Sequence, residues 1–127
     1  DAGNSLNSAI DIGQIEGGFI QGMGWLTTEE LVWDERGELK THAPSTYKIP
    51  CASDRPKIFN VSLFDNLNVE NTIYKSKAVG EPPFMLGISV FLALRNAVSA
   101  CGNEWPILNA PATPENILRA VRRVNGT

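Results

Sequence analysis

The chain has 127 residues, 43% hydrophobic and 20% charged, and 11 Lys and Arg against 14 Asp and Glu leave a net charge of -3. With mean hydropathy -0.12 and an isoelectric point near 5.1, it is neither a disordered chain nor an electrostatic nucleic-acid binder. No uninterrupted apolar run approaches the roughly 18 residues of a bilayer span and no basic-then-apolar leader opens the text, so no membrane partner is expected.

Cys51 and Cys101 stand fifty residues apart in neither a CxxC nor a metal-ligand pattern, so reduced thiols are expected. His42 is the one histidine, too few for a self-contained zinc site and only a single candidate base for a nucleophilic triad. The text opens Asp1-Ala2-Gly3-Asn4, with methionine first at Met23, which reads as a piece of a longer polypeptide.

From Ser8 to about Thr28, Ile12, Ile15, Phe19, Ile20, Met23 and Leu26 recur at spacings of three and four, which predicts a helix. Gly13, Gly17, Gly18, Gly22 and Gly24 lie inside it, each costing about 1 kcal/mol relative to alanine. Gly13, Gly17 and Gly24 share a face, with Gly18 and Gly22 beside it. Such a face admits either a closely crossing backbone or a flat ligand.

Glu30–Trp33 and Glu38–Thr41 flank the turn-like Asp34-Glu35-Arg36-Gly37 and predict a hairpin with Gly37 at a positive φ. Pro44 and Pro50 bracket a short extended piece. In KIFNVSLFD, Ile58, Asn60, Ser62 and Phe64 alternate with Phe59, Val61 and Leu63, a strand buried substantially on both sides. A turn-rich DNLNVEN leads to a short strand over Thr72–Tyr74.

Between Phe84 and Val98 apolar residues cover nearly the whole circumference of a helix, which predicts burial all round. Pro82 and Pro83 suit its first turn and Gly102 its stop. A last helix starts at Thr113, with Pro114 and Glu115 in its first turn. Its Arg119, Arg122 and Arg123 form either a solvated face or a surface for an acidic partner.

The informative constellation is Ala78-Val79-Gly80-Glu81-Pro82-Pro83, a carboxylate set before two prolines and an apolar helix. Burial raises a carboxyl pKa, whereas a helix start and a neighbour such as Lys77 lower it, and that opposition is how a general base is tuned. The plain alternative is that Glu81 caps the helix.

Three segments, IDIGQIEGGFIQGMGW, THAPSTYKIP and SKAVGEPPFMLGISVFLAL, together with GWLTTEELVWD and APATPE, resemble the C-terminal part of the molybdenum-binding subunit of the molybdenum hydroxylases. That family includes xanthine dehydrogenases and aldehyde oxidases, and the likeness is strongest to the bacterial two-subunit xanthine dehydrogenases. The resemblance implies an α+β fold of mixed helices and short strands. It makes residues 1–127 the C-terminal segment of a molybdenum cofactor-binding domain rather than an independent domain.

It further implies that Glu81, the glutamate of VGEPP, is the general base that deprotonates the attacking hydroxyl at the molybdenum centre. Gln14 of GQIEGG hydrogen-bonds the pterin, its amide both donating and accepting. Gly80 shapes the cofactor site beside Glu81, and this segment supplies no metal ligand. Ser45, Thr46, Tyr47 and Lys48 line or buttress the site. Lys48 meets either an anionic cofactor group or a structural ion partner, and Lys77 is a candidate support for Glu81.

The activity implied is oxidative hydroxylation of hypoxanthine and xanthine to urate with water, electrons passing through [2Fe-2S] clusters and FAD to NAD. Those groups lie in other domains or in an iron-sulfur/flavin subunit, so the partners are the purine, the rest of the molybdenum subunit and that subunit, in a cytoplasmic hetero-oligomer. The residues that orient a purine lie upstream in the family. An aldehyde oxidase would share the base, and the piece alone would be inactive or purely structural.

Overall fold

A computed structural model describes residues 1–126. Helix α1 (Ser8–Thr27) starts at Asn7, whose side chain accepts from the Ile10 N–H at 3.3 Å, and ends with the Thr28 N–H on the Gly24 carbonyl. Its glycines divide along its length. At Gly18 and Gly22 a second backbone crosses, Gly24 meets Pro50 and Glu29, and Gly13 and Gly17 have nothing within 4 Å of where a Cβ would stand. The crossing backbone is therefore met on the pair assigned beside the face, Gly18 and Gly22, while the stretch at Gly13 and Gly17 is open.

The expected apolar helix begins differently from its sequence reading. Pro82 and Pro83 have no N–H, so the first available donor, on Phe84, closes onto the Glu81 carbonyl three residues back at 2.8 Å. Residues Pro82–Gly87 accordingly form a 3-10 helix, and α2 proper is Ile88–Ser99. Together they make an 18-residue rod, Pro82–Ser99, of mean hydropathy 1.2, long and apolar enough by length and composition to cross a membrane. That corrects the count of uninterrupted apolar residues, which broke the stretch at polar positions a helix tolerates. Nor is the rod buried all round. Val98 is buried, but Leu86 and Leu92 are each 51% exposed.

Helix α3 (Pro114–Val124) follows its sequence signals: the Thr113 hydroxyl accepts from the Asn116 N–H, Pro114 takes the first turn and Glu115 pairs with Arg119 at 2.6 Å. It packs on α2 through Val98, Leu108, Ala112, Ala120 and Val124, with Phe91, Leu94, Ile117 and Val121 around them. Gly102 does not stop α2, which ends at Ser99. A Cβ there would lie 2.0 Å from the Val124 carbonyl oxygen, so this glycine lets the loop pass the end of α3.

The architecture is mostly helical, and among the described residues β pairing is confined to two isolated bridges, Gly3 with Ser76 and Trp33 with Leu39. The second bridge is the expected hairpin, with Gly37 at φ 79° and the Asp34 N–H on the Glu38 carbonyl. The first joins the N-terminal strap to residues 75–77. Thr72–Tyr74 is not a strand: Ile73–Lys75 is a 3-10 turn whose Tyr74 and Lys75 both take left-handed φ. The KIFNVSLFD strand is also unformed, for want of a neighbour to pair with. Both cysteines are free thiols.

The accessible surface is 9,315 Å², against about 6,600 Å² for a self-contained fold of this mass. Exposed large apolar side chains are spread along the chain, among them Trp33, Ile58, Phe64, Leu92 and Trp105.

Candidate functional site

The site is built on the crossing of α1 and the 3-10 helix. A Cβ on Gly18 would stand 2.9 Å from Pro83 Cβ, and one on Gly22 would stand 2.1 Å from the Phe84 carbonyl oxygen. From the other side, a Cβ on Gly87 would lie 2.4 Å from the Gly22 carbonyl carbon. A step of four along α1, from Gly18 to Gly22, thus matches a step of four along the facing segment, from Pro83 to Gly87. The two run in parallel register. Trp25 continues the seam, its ring 5.3 Å from that of Phe84.

Gln14 lies one turn of α1, about 6 Å along the axis, before Gly18 and shares its face. Gly80 and Glu81 directly precede the segment that Gly18 and Gly22 meet. No hydrogen bond or ion pair among the described residues joins Gln14 to Gly80 or Glu81.

Their local states differ from the expectation of burial. Glu81 is exposed, and its carboxylate makes no hydrogen bond or ion pair. It stands at the N-cap position of the 3-10 helix, where its carbonyl accepts from the Phe84 N–H, but its side chain makes no capping hydrogen bond. Its backbone, by contrast, is tightly held. Gly80 before it has φ 35°, a conformation side chains disfavour, and Pro82 and Pro83 fix the residues after it. A free carboxylate on a stiff mount can exchange a proton with a bound group without first breaking a partner.

Gln14 is exposed and its amide is uncommitted, between the open backbone at Gly13 and Gly17. A bare glycine strip beside a side chain that both donates and accepts suits the edge of a flat heterocycle. Among the described residues no three His, Cys, Asp or Glu side chains gather into a metal site.

Other candidates are placed elsewhere. Lys77 reaches Asp1 at 2.7 Å and Glu70 at 3.0 Å and so secures the N-terminal strap. The PSTYKIP loop docks at the opposite end of α1, about 15 Å along the axis from Gln14. There the Thr28 hydroxyl donates to the Lys48 carbonyl at 2.7 Å, and Gly24 lies against Pro50. The Tyr47 hydroxyl donates to the Glu29 carboxylate at 2.5 Å, and this bond, with burial added, raises the phenol above its ordinary value of 10.0. Lys48 donates to its own loop at the Ser45 carbonyl, 2.6 Å, and makes no ion pair among the described residues. The loop buttresses. The Glu29–Tyr47 tie and the Gly22–Gly87 approach escaped the sequence reading, although the four-residue spacing of Gly18 and Gly22 was a signal for the latter.

Beside the loop lies an open apolar hollow of about 350 Å³, lined by Leu31, Leu39, Pro44, Tyr47 and Ile49, with His42 at its margin. The His42 Nδ1 lies 2.9 Å from the Leu39 carbonyl oxygen.

The comparisons with known proteins bear on a helix with an open glycine strip and an uncommitted amide, and on an exposed carboxylate before two prolines. Residues 1–56 match the family model of the molybdopterin cofactor-binding domain, a span that includes Gln14. The xanthine dehydrogenase of Oryza sativa is 49% identical over 94% of the chain, and the xanthine dehydrogenase/oxidase of Felis catus 48% over 94%. Aldehyde oxidase 1 of Macaca fascicularis is 50% identical over 94%. The chain spans about a tenth of the length of these relatives. Among solved structures, quinoline 2-oxidoreductase from Pseudomonas putida 86 superposes with TM-score 0.82 at 28% identity, over 98% of this chain and 15% of that one. The chain belongs to the molybdenum hydroxylases, as part of their molybdenum-binding region.

Proposed function

We propose that the chain contributes the general base and a pterin contact to the active centre of a xanthine dehydrogenase, which hydroxylates hypoxanthine and xanthine to urate with water. The observation that supports this reading is the close backbone crossing of α1 over the 3-10 helix that follows Glu81, with the side chains of Glu81 and Gln14 both exposed and unpaired.

When bound, the molybdenum–pterin group supplies the two-electron oxidation. Glu81 takes the proton of the attacking hydroxyl, a contribution of about two to four decades in rate. Gln14 orients the pterin by donating and accepting along its edge, while the open strip at Gly13 and Gly17 lets the ring system lie against the helix. Gly80 fixes the direction in which the Glu81 side chain leaves the backbone. Electrons leave through iron-sulfur clusters and FAD, carried on other segments or a partner subunit of a cytoplasmic assembly, to NAD.

The near-equal identity to an aldehyde oxidase favours a second reading with the same base and a different substrate. Turnover of the complete, molybdenum-loaded enzyme in oxygen-18 water tests both. Labelled urate from xanthine is expected. Inertness toward purines with oxidation of aromatic aldehydes moves the assignment to the second reading, and inertness toward both contradicts the proposal.

A further inference from the structure

The segment 57–64 has the sequence of a strand and no ladder to belong to. Among the described residues, nothing from Lys57 to Leu67 makes a hydrogen bond through backbone or side chain. Each residue carries one obligatory donor and one acceptor, and a run of this length left without protein partners is unusual in a finished fold. Its faces are unequal. Phe59 packs on Phe19 of α1 with ring centroids 5.1 Å apart, and Val61 and Leu63 are half-buried on the same side. On the other side Ile58 is 82% and Phe64 89% exposed, with Asn60 and Ser62 between them.

We infer that residues 57–64 form a β-strand completed by a neighbouring strand from the remaining molybdenum-binding polypeptide. The inference rests on the reading of the chain as one part of a larger body. A helix or an apolar loop could cover Ile58 and Phe64, but only an extended backbone about 4.8 Å away meets the row of amides and carbonyls. Eight residues at about 3.3 Å each give a strand of ordinary length. The occupant is the rest of the polypeptide rather than a second copy because the demand for cover exceeds one edge. Leu86 and Leu92 of the apolar rod are also open, and the total surplus is about 2,700 Å² over a self-contained fold. An edge-to-edge dimer would leave most of it wet, whereas the relatives carry about nine-tenths of their length beyond this match. An exposed apolar strand edge is otherwise a template for aggregation.

Hydrogen–deuterium exchange of the complete enzyme tests this. Amides of residues 58–64 are expected to exchange at least about 100-fold more slowly than in an unstructured peptide of the same sequence. In the enzyme Ser62→Pro, which removes a donor, should cancel that protection, and Ser62→Thr should keep it. Fast exchange of 58–64 in an enzyme whose α1 and α2 amides are protected overturns the inference. So does protection that is lost when the enzyme is diluted into separate protomers, which assigns the edge to a second copy. Protection of 58–64 in an enzyme that lacks molybdenum or hydroxylase turnover leaves the strand standing and removes the functional reading instead.

Discussion

Gly22 of α1 and Gly87 of the 3-10 helix meet backbone to backbone: a Cβ on Gly87 would fall 2.4 Å from the Gly22 carbonyl carbon, and one on Gly22 would fall 2.1 Å from the Phe84 carbonyl oxygen. Neither obstacle is a side chain that can swing away. The contact holds the Glu81 segment in register with the helix that carries Gln14. Replacing Gly22 by alanine is expected to destabilise the chain by about 1–3 kcal/mol through overpacking, despite alanine's better helix propensity. In the complete enzyme the same change should lower turnover beyond any loss of folded protein, because the Glu81 mount shifts. Urea titration and turnover per bound molybdenum check the two halves.

Gly13 and Gly17 supply the opposite case on the same helix. With nothing within 4 Å of a Cβ at either position, Gly13→Ala and Gly17→Ala should each stabilise the isolated chain by about 0.5–1 kcal/mol. If the open strip carries the pterin, the same substitutions reduce molybdenum content in the complete enzyme. Stabilisation in both settings with full molybdenum would show that the strip holds no cofactor.

These two pairs show how far the sequence could be read. Periodicity and five glycines were enough for α1 and for the choice between a crossing and a ligand. Which glycines served which purpose depended on the chain sixty residues later, which no local pattern reports. Helix α3 was legible in detail because Thr113, Pro114 and Glu115 act within one turn. The 3-10 start at Pro82 was not, since propensity places proline in a first turn without fixing whether the next bond closes over three residues or four. The strand at 58–64 was legible as alternation, yet it remains unpaired here because strand pairing is a property of two segments. At the site, Glu81 and Gln14 were singled out through resemblance, while burial of Glu81 was inferred from its apolar neighbours and fails even though Pro83 is buried and Val79 and Phe84 are half-buried, because no described element covers the carboxylate itself.

The Glu29–Tyr47 bond should leave a pH signature. The folded-state pKa of Tyr47 is raised, first by its hydrogen bond to the Glu29 carboxylate and then by burial. Its contribution is therefore fully present below the unfolded phenol's value near 10.0 and is lost as pH rises through the folded value. Tyr47→Phe is expected to lower stability by about 1 kcal/mol at neutral pH and to flatten the decline above pH 10. Thermal melts across the alkaline range measure both, and an unchanged alkaline slope would place the lost proton elsewhere.

Gly80 has room for a side chain but the wrong backbone for one, with φ 35° and nothing within 4 Å of a Cβ. Gly80→Ala therefore acts through strain, of order 1 kcal/mol. It should reduce kcat while the molybdenum content and KM stay near those of the parent enzyme. Equal loss of molybdenum and activity would mean that Gly80 serves retention of the cofactor and not the aim of Glu81.

The central claim is that the unpaired carboxylate of Glu81 is the base. Its most direct test is Glu81→Gln in the complete enzyme with molybdenum and sulfido content matched to the parent, a change that keeps size and leaves no buried partner stranded. The account predicts that kcat falls by about 100-fold or more. A loss of less than about tenfold would contradict it.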